Sequence, residues 1–136
     1  KLPAGKMILA ADDSPLARSM IEKELKTLGV PYVMTHTGLE AWKRIQAISD
    51  TAAAEGKTLH DKIALVLTDL EMPEMDGFTL TRNIKSDQRF KSVPVVIHSS
   101  LTGEANENHV RSVGADAFIA KFEAGELAET IRKALA

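Results

Sequence analysis

Five apolar runs of strand length, each followed by a stretch of helical period, constrain this chain more than any other feature. The runs are Met7-Ile8-Leu9-Ala10-Ala11, Tyr32 to Thr35, Ile63 to Leu67, Val93 to Ile97 and Ala117-Phe118-Ile119-Ala120. The third is uninterrupted and apolar, which suits a parallel strand buried on both faces. After the first run, Ser14-Pro15 reads as an N-cap with proline at the first helical position. Ala17, Met20, Ile21, Leu25 and Leu28 then share one helical face. Gly29 and Pro31 stop that helix. Ala41, Ile45, Ile48 and Ala52 form a second stripe, with Trp42 beside it. The segment Ala53 to Asp61 is polar, contains Gly56, and reads as a helix end plus loop. Met72-Pro73-Glu74-Met75-Asp76-Gly77 reads as a turn, followed by a helix with Leu80 and Ile84 inward that ends near Ser86. Thr102 to Val113 has helical length but few apolar residues (Ala105, Val110, Val113), so a loosely packed helix is expected, stopped by Gly114. Leu127, Ile131, Ala134 and Leu135 mark the last helix.

Strand and helix alternating in this order predict an α/β fold: a doubly wound, five-stranded parallel sheet with helices on both faces. The 136 residues fit one domain. No cysteine is present to staple it, in keeping with a reducing, cytoplasmic setting. A net charge of -2, scattered Lys and Arg, and few aromatics argue against nucleic acid. No apolar run approaches the roughly 20 residues that cross a bilayer, so no membrane insertion is expected. The sequence begins at Lys1 rather than Met, which reads as a fragment of a longer protein.

In open parallel sheets ligands bind beyond the carboxyl ends of the strands, near the switch in strand order. Strand one ends in Asp12-Asp13, strand three in Thr68-Asp69, strand four in Ser99-Ser100 and strand five in Lys121. Converging carboxylates repel one another and favour a hard dication. Oxygen ligands with retained waters suit Mg²⁺. A carboxylate can attack phosphorus to form an aspartyl phosphate. Mg²⁺, the Lys121 ammonium and the Ser99 hydroxyl could then each neutralise one oxygen of the phosphoryl group.

These residues resemble the receiver domains of response regulators, of the CheY-like (βα)5 flavodoxin-like type, over essentially the whole chain. The resemblance rests on Asp12-Asp13, on Thr68-Asp69-Leu70-Glu71-Met72-Pro73-Glu74-Met75-Asp76-Gly77, on Ser99 and on Lys121, in that order and at the family's intervals. It implies that Asp69 is the phosphoacceptor in a phosphorelay fed by a histidine kinase. It implies Mg²⁺ held by Asp13 directly, by Asp12 through water, by Asp69 and by the Glu71 main-chain carbonyl. It further implies Lys121 against the phosphoryl group, Ser99 as the hydroxyl that turns inward, and Phe118 as an aromatic switch. His98-Ser99-Ser100-Leu101-Thr102-Gly103, Ala120-Lys121-Phe122 and the long polar stretch around Ala53 to Asp61 are most similar to CheV-type chemotaxis coupling proteins. There a receiver follows a domain that docks the kinase and receptors, which implies an N-terminal coupling domain and coupling or receptor proteins as partners. Such a domain is a signalling phosphoacceptor, catalysing only its own phosphorylation and dephosphorylation.

Two departures from the family stand out. Phe122 replaces the proline that usually follows the lysine, so a trans Lys121–Phe122 bond is expected. Phe118 lacks the hydroxyl of the frequent tyrosine, leaving any switch to packing. Simpler readings exist for each residue alone: Asp12-Asp13 as helix-capping acids, Lys121 as a solvated lysine, Ser99 as a turn serine and Phe118 as core. His98 reads as a hydrogen-bonded core histidine, His36, His60 and His109 as surface residues, and Trp42 as packed away from the site. Rival functions are an aspartate-dependent phosphohydrolase and a receiver-like module that works without phosphorylation. A nucleotide-binding fold fails because Ala11-Asp12-Asp13-Ser14 puts two negative charges where a glycine-rich cradle belongs.

Overall fold

The computed structural model of the chain describes residues 6–99, 108, 111–120 and 129–133, with only the backbone of Ser99 and Ala120. Its strands are β1 (Met7–Ala11), β2 (Tyr32–Thr35), β3 (Ile63–Asp69), β4 (Val95–Ser99) and β5 (Ala117–Ala120). They form one parallel sheet in the order β2-β1-β3-β4-β5. Its helices include α1 (Pro15–Thr27), α2 (Gly38–Ala54), α3 (Leu59–Lys62) and α4 (Gly77–Ser86). Residues 111–112 and 129–133 are also helical.

The sheet is covered on both faces, as the sequence predicts. On one face Leu9, Ala11, Val66 and Ile97 pack with Ala41 and Ile45 of α2 and Leu80 and Ile84 of α4. On the other, Ile8, Ala10, Leu67 and Val96 pack with Ile21 and Leu25 of α1 and with Ile131. Alternate residues of each strand serve opposite faces, the consequence of a two-residue side-chain period. Phe90 is fully buried and meets the Trp42 ring edge-on at 5.6 Å, which confirms Trp42 as a packed residue. Arg89 lies over the Phe90 ring and its ion pair with Asp87 holds that carboxyl below the usual range.

Each described helix start has a local cause. Ser14 accepts a hydrogen bond from the Ala17 N–H with Pro15 next, as the sequence predicts. At α2, Thr37 Oγ1 accepts from the Glu40 N–H at 3.0 Å, while Glu40 Oε1 accepts from the His36 N–H at 2.7 Å. Losing a cap of this kind costs about 1 kcal/mol. Thr37→Ala is therefore expected to lower the thermal midpoint by about 3–5 °C. Calorimetry checks it, and an unchanged midpoint would mean that the reciprocal Glu40 contact alone holds the helix start.

Several boundaries differ from the sequence reading, among them the end of β4, which runs past Ile97 to Ser99. The strand β4 begins at Val95 rather than Val93, because Pro94 has no N–H for the ladder. The Val95 N–H is instead taken by Asp116 Oδ2 at 2.7 Å, outside the ladder. β3 runs on through Thr68 to Asp69, since the ladder pairs Asp69 with His98. Within the polar stretch Ala53 to Asp61, helix α2 reaches Ala54 and a further short helix, α3, starts at Leu59. The Thr58 N–H donates to Asp61 at 2.9 Å and pulls that carboxyl below its ordinary range. Lys62 does the same to Glu55 across a 2.8 Å ion pair.

Candidate functional site

The strand order reverses direction at β1, whose neighbours are β2 on one side and β3 on the other. Their carboxyl ends, with that of β4 beside them, form the crevice where parallel sheets hold ligands. Ala11 pairs with Thr68, and Asp69 pairs with His98. The next residue of β1 therefore stands beside Asp69, and the pleat turns Asp12, Asp69 and His98 to one face. One donor atom from each lies within 4.8 Å of the others, and all three residues are buried.

Hydrogen bonds from main chain and side chains fix the strand ends that carry the two acids. The Asp12 N–H donates to the Thr35 carbonyl at 3.1 Å, tying the end of β1 to β2. Asp12 Oδ1 accepts from the Ser14 N–H at 2.8 Å, and its carbonyl accepts from Arg18 Nη1 at 2.9 Å. Thr68 Oγ1 donates to the Asp69 carbonyl at 2.9 Å, and the Leu70 N–H donates to the His98 carbonyl at 3.2 Å. The loop after β3 folds back through the Gly77 N–H, which donates to the Leu70 carbonyl at 2.8 Å. Glu74 in this loop has φ 70°, a conformation side chains rarely adopt.

Of the residues expected at the site, Asp12 and Asp69 are brought together, at 0% and 3% exposure. Asp13 follows directly and is exposed, outside the three-residue cluster. Glu71 is exposed, two residues past the end of β3. The Ser99 backbone ends β4, paired with Ala120 at the end of β5. Phe118 is half-buried against the core and pairs with Ile97. Lys121, Phe122 and the peptide bond between them, Ser100, Leu101, His109 and most of the stretch 102–113, where a helix is expected, lie outside the described residues. His36 and His60 are exposed, as expected.

His98 is the addition. The sequence reading makes it a core residue, and at 4% exposure it is buried. Its Nε2 also stands 3.7 Å from Asp12 Oδ2. Asp69 lies two residues beyond the run Ile63 to Leu67 and His98 one residue beyond the run Val93 to Ile97, and their pairing in the ladder puts both side chains on one face.

The donor set fits a hard dication: two buried carboxylates at close range, with further oxygens on the bordering loops. Burying two such charges side by side is costly unless a cation or hydrogen bonds offset it. Among the described residues no helix is long and apolar enough to cross a membrane.

The sequence profile of the response regulator receiver domain matches residues 8–132. Chemotaxis protein CheV2 of Helicobacter pylori is 33% identical over 130 residues, covering 96% of this chain and 39% of that protein. Chemotaxis protein CheY1 of the same organism is 31% identical over 115 residues, covering 84% of this chain and 83% of that one. The chain thus spans well under half of CheV2 and most of CheY1. Among solved structures, the receiver domain of sensor histidine kinase PA1611 from Pseudomonas aeruginosa, with a magnesium ion in its active-site cleft, superposes with a TM-score of 0.79. It is 22% identical, covering 97% of this chain and 98% of that one. With a matching profile over nearly its whole length and the strand order of that fold, this chain belongs to the response regulator receiver domain family.

Proposed function

We propose that the chain is a phosphoacceptor switch in chemotaxis signalling, taking a phosphoryl group from a histidine kinase onto Asp69. The observation that carries this reading is the pair of buried carboxylates, Asp12 and Asp69, at the switch point of the sheet. A carboxylate oxygen of Asp69 attacks phosphorus; the P–N bond of the kinase phosphohistidine breaks, and its electron pair returns to the imidazole. Mg²⁺, when bound, neutralises charge on the phosphoryl oxygens. Asp12, Asp13 and the Glu71 carbonyl are the groups we assign to hold it, with Asp69. Ser99, whose backbone ends β4, and Lys121, the next residue in sequence after β5, are assigned to the remaining oxygens. Phe118, half-buried beside Ile97, is assigned as the residue that moves when Ser99 does.

Similarity to CheV2 and CheY1 supports a chemotaxis kinase as donor, with coupling or receptor proteins as further partners. The likeness to CheV2 also supports reading the chain as the receiver of a CheV-type protein with an N-terminal coupling domain. The chain acts on itself rather than on a stream of substrates.

Acetyl phosphate tests the chemistry without a kinase. With Mg²⁺ the chain is expected to take up a single phosphoryl group, with release of acetate, as an acyl phosphate that hydroxylamine removes. EDTA should prevent the uptake. Uptake that persists in EDTA would overturn the cation-dependent reading, and repeated turnover of a generic phosphate ester would favour a phosphohydrolase.

A further inference from the structure

The phosphoryl-transfer scheme gives His98 no task, yet His98 faces its two central carboxylates. Its side chain is 5% exposed and its Nε2 is 3.7 Å from Asp12 Oδ2. That separation exceeds a direct hydrogen bond. It is compatible with two donors that share one ion, each bonded at about 2.0–2.2 Å. The third donor, from Asp69, falls within the same 4.8 Å. The backbone fixes this placement: Asp69 and His98 are ladder partners, and Leu70 N–H to His98 carbonyl extends the pairing past them.

We propose that His98 is a nitrogen ligand of the cation site and biases it toward first-row transition ions over Mg²⁺. The proposal rests on the reading of Asp12 and Asp69 as cation ligands, and not on the phosphoryl step. Mg²⁺ selects carboxylate, carbonyl and water oxygens, whereas imidazole suits ions such as Ni²⁺. A row of two carboxylates and one imidazole therefore has a different preference from an all-oxygen site. The consequence is a receiver whose occupancy responds to transition-metal supply as well as to Mg²⁺.

Calorimetric titration of Ni²⁺ and of Mg²⁺ into the full chain and into His98→Val and His98→Gln tests it. Valine suits a buried strand position beside Val95, Val96 and Ile97, and glutamine keeps a polar group there. Both substitutions are expected to weaken Ni²⁺ about tenfold or more while changing Mg²⁺ less than about threefold. Equal losses for both ions, or a thermal midpoint that moves while the Ni²⁺ to Mg²⁺ ratio stays, would make His98 a support for Asp12 only and overturn the proposal. A wild-type chain binding neither ion in the crevice would overturn the carboxylate reading as well. Should both variants fold poorly, a Ni²⁺-soaked crystal of the wild-type chain decides. An anomalous peak about 2.1 Å from His98 Nε2 is expected, and a peak bound by oxygens alone would sink the idea.

Discussion

An Asp69→Asn chain is expected to lose phosphoryl uptake from acetyl phosphate to background while unfolding at the same temperature as the wild type, or higher. The amide nitrogen and oxygen keep the shape of the carboxylate, so the core around β3 needs no repacking. The neutral amide is no longer a nucleophile toward phosphorus, so the first bond cannot form. The stability half of the prediction comes from charge. Asp69 and Asp12 are almost wholly buried with donor atoms within 4.8 Å. Two unit charges about 5 Å apart repel by roughly 3 kcal/mol at an effective dielectric near 20. Other groups offset part of that, and replacing one carboxylate relieves what remains. Function and stability thus pull in opposite directions at this position, as they do where a site stores like charge. Mass spectrometry of the acyl phosphate and calorimetry in EDTA read the two halves separately. Uptake retained in Asp69→Asn would remove the central assignment, and a large fall in midpoint would show the carboxylate to be a net structural support.

Most of this arrangement was legible before any coordinates. The bounds of β1, β2 and β5 follow from their apolar runs, and Ser14-Pro15 and Gly29 mark the ends of α1. The misplacements share a cause: an apolar run reports burial, not ladder pairing. Val93 is fully buried in the core yet lies outside β4. Thr68 and Asp69 are polar yet lie inside β3. His98 carries the same ambiguity: its place beside an apolar run reports burial, not the face that it shares with Asp69. The start of α3 was also readable, since Thr58 and Asp61 carry the spacing of a reciprocal cap. The surrounding polar residues and Gly56 masked it. Asp12 and Asp69 meeting at one point follows from strand order and pleat. Their exposure relative to Asp13 does not, because it depends on how the chain turns from β1 into α1.

Gly77→Ala is expected to destabilise the chain by about 2–3 kcal/mol and to slow uptake onto Asp69 at the same time. A Cβ at Gly77 would overlap the Asp69 carbonyl oxygen and stand 3.0 Å from Leu70 Cα and 3.1 Å from the Asp69 carbonyl carbon. All three are backbone atoms, which cannot swing aside as a side-chain tip would. Gly38 of α2 meets the same loop at a second point, where a Cβ would overlap the Met75 carbonyl. The loop after β3 therefore makes two close approaches that only hydrogen permits. Alanine is the better helix former by about 1 kcal/mol, so propensity alone predicts the reverse sign at the start of α4. Steric overlap with the main chain of the phosphoacceptor wins because the strand beneath it is fully buried. Gly56→Ala separates this close approach from backbone freedom. Its φ is 75° with nothing within 4 Å of a Cβ, so it should cost about 1 kcal/mol and leave uptake unchanged. Urea unfolding and initial uptake rates compare the two, and equal effects at Gly77 and Gly56 would mean the loop is not held against Asp69 at all.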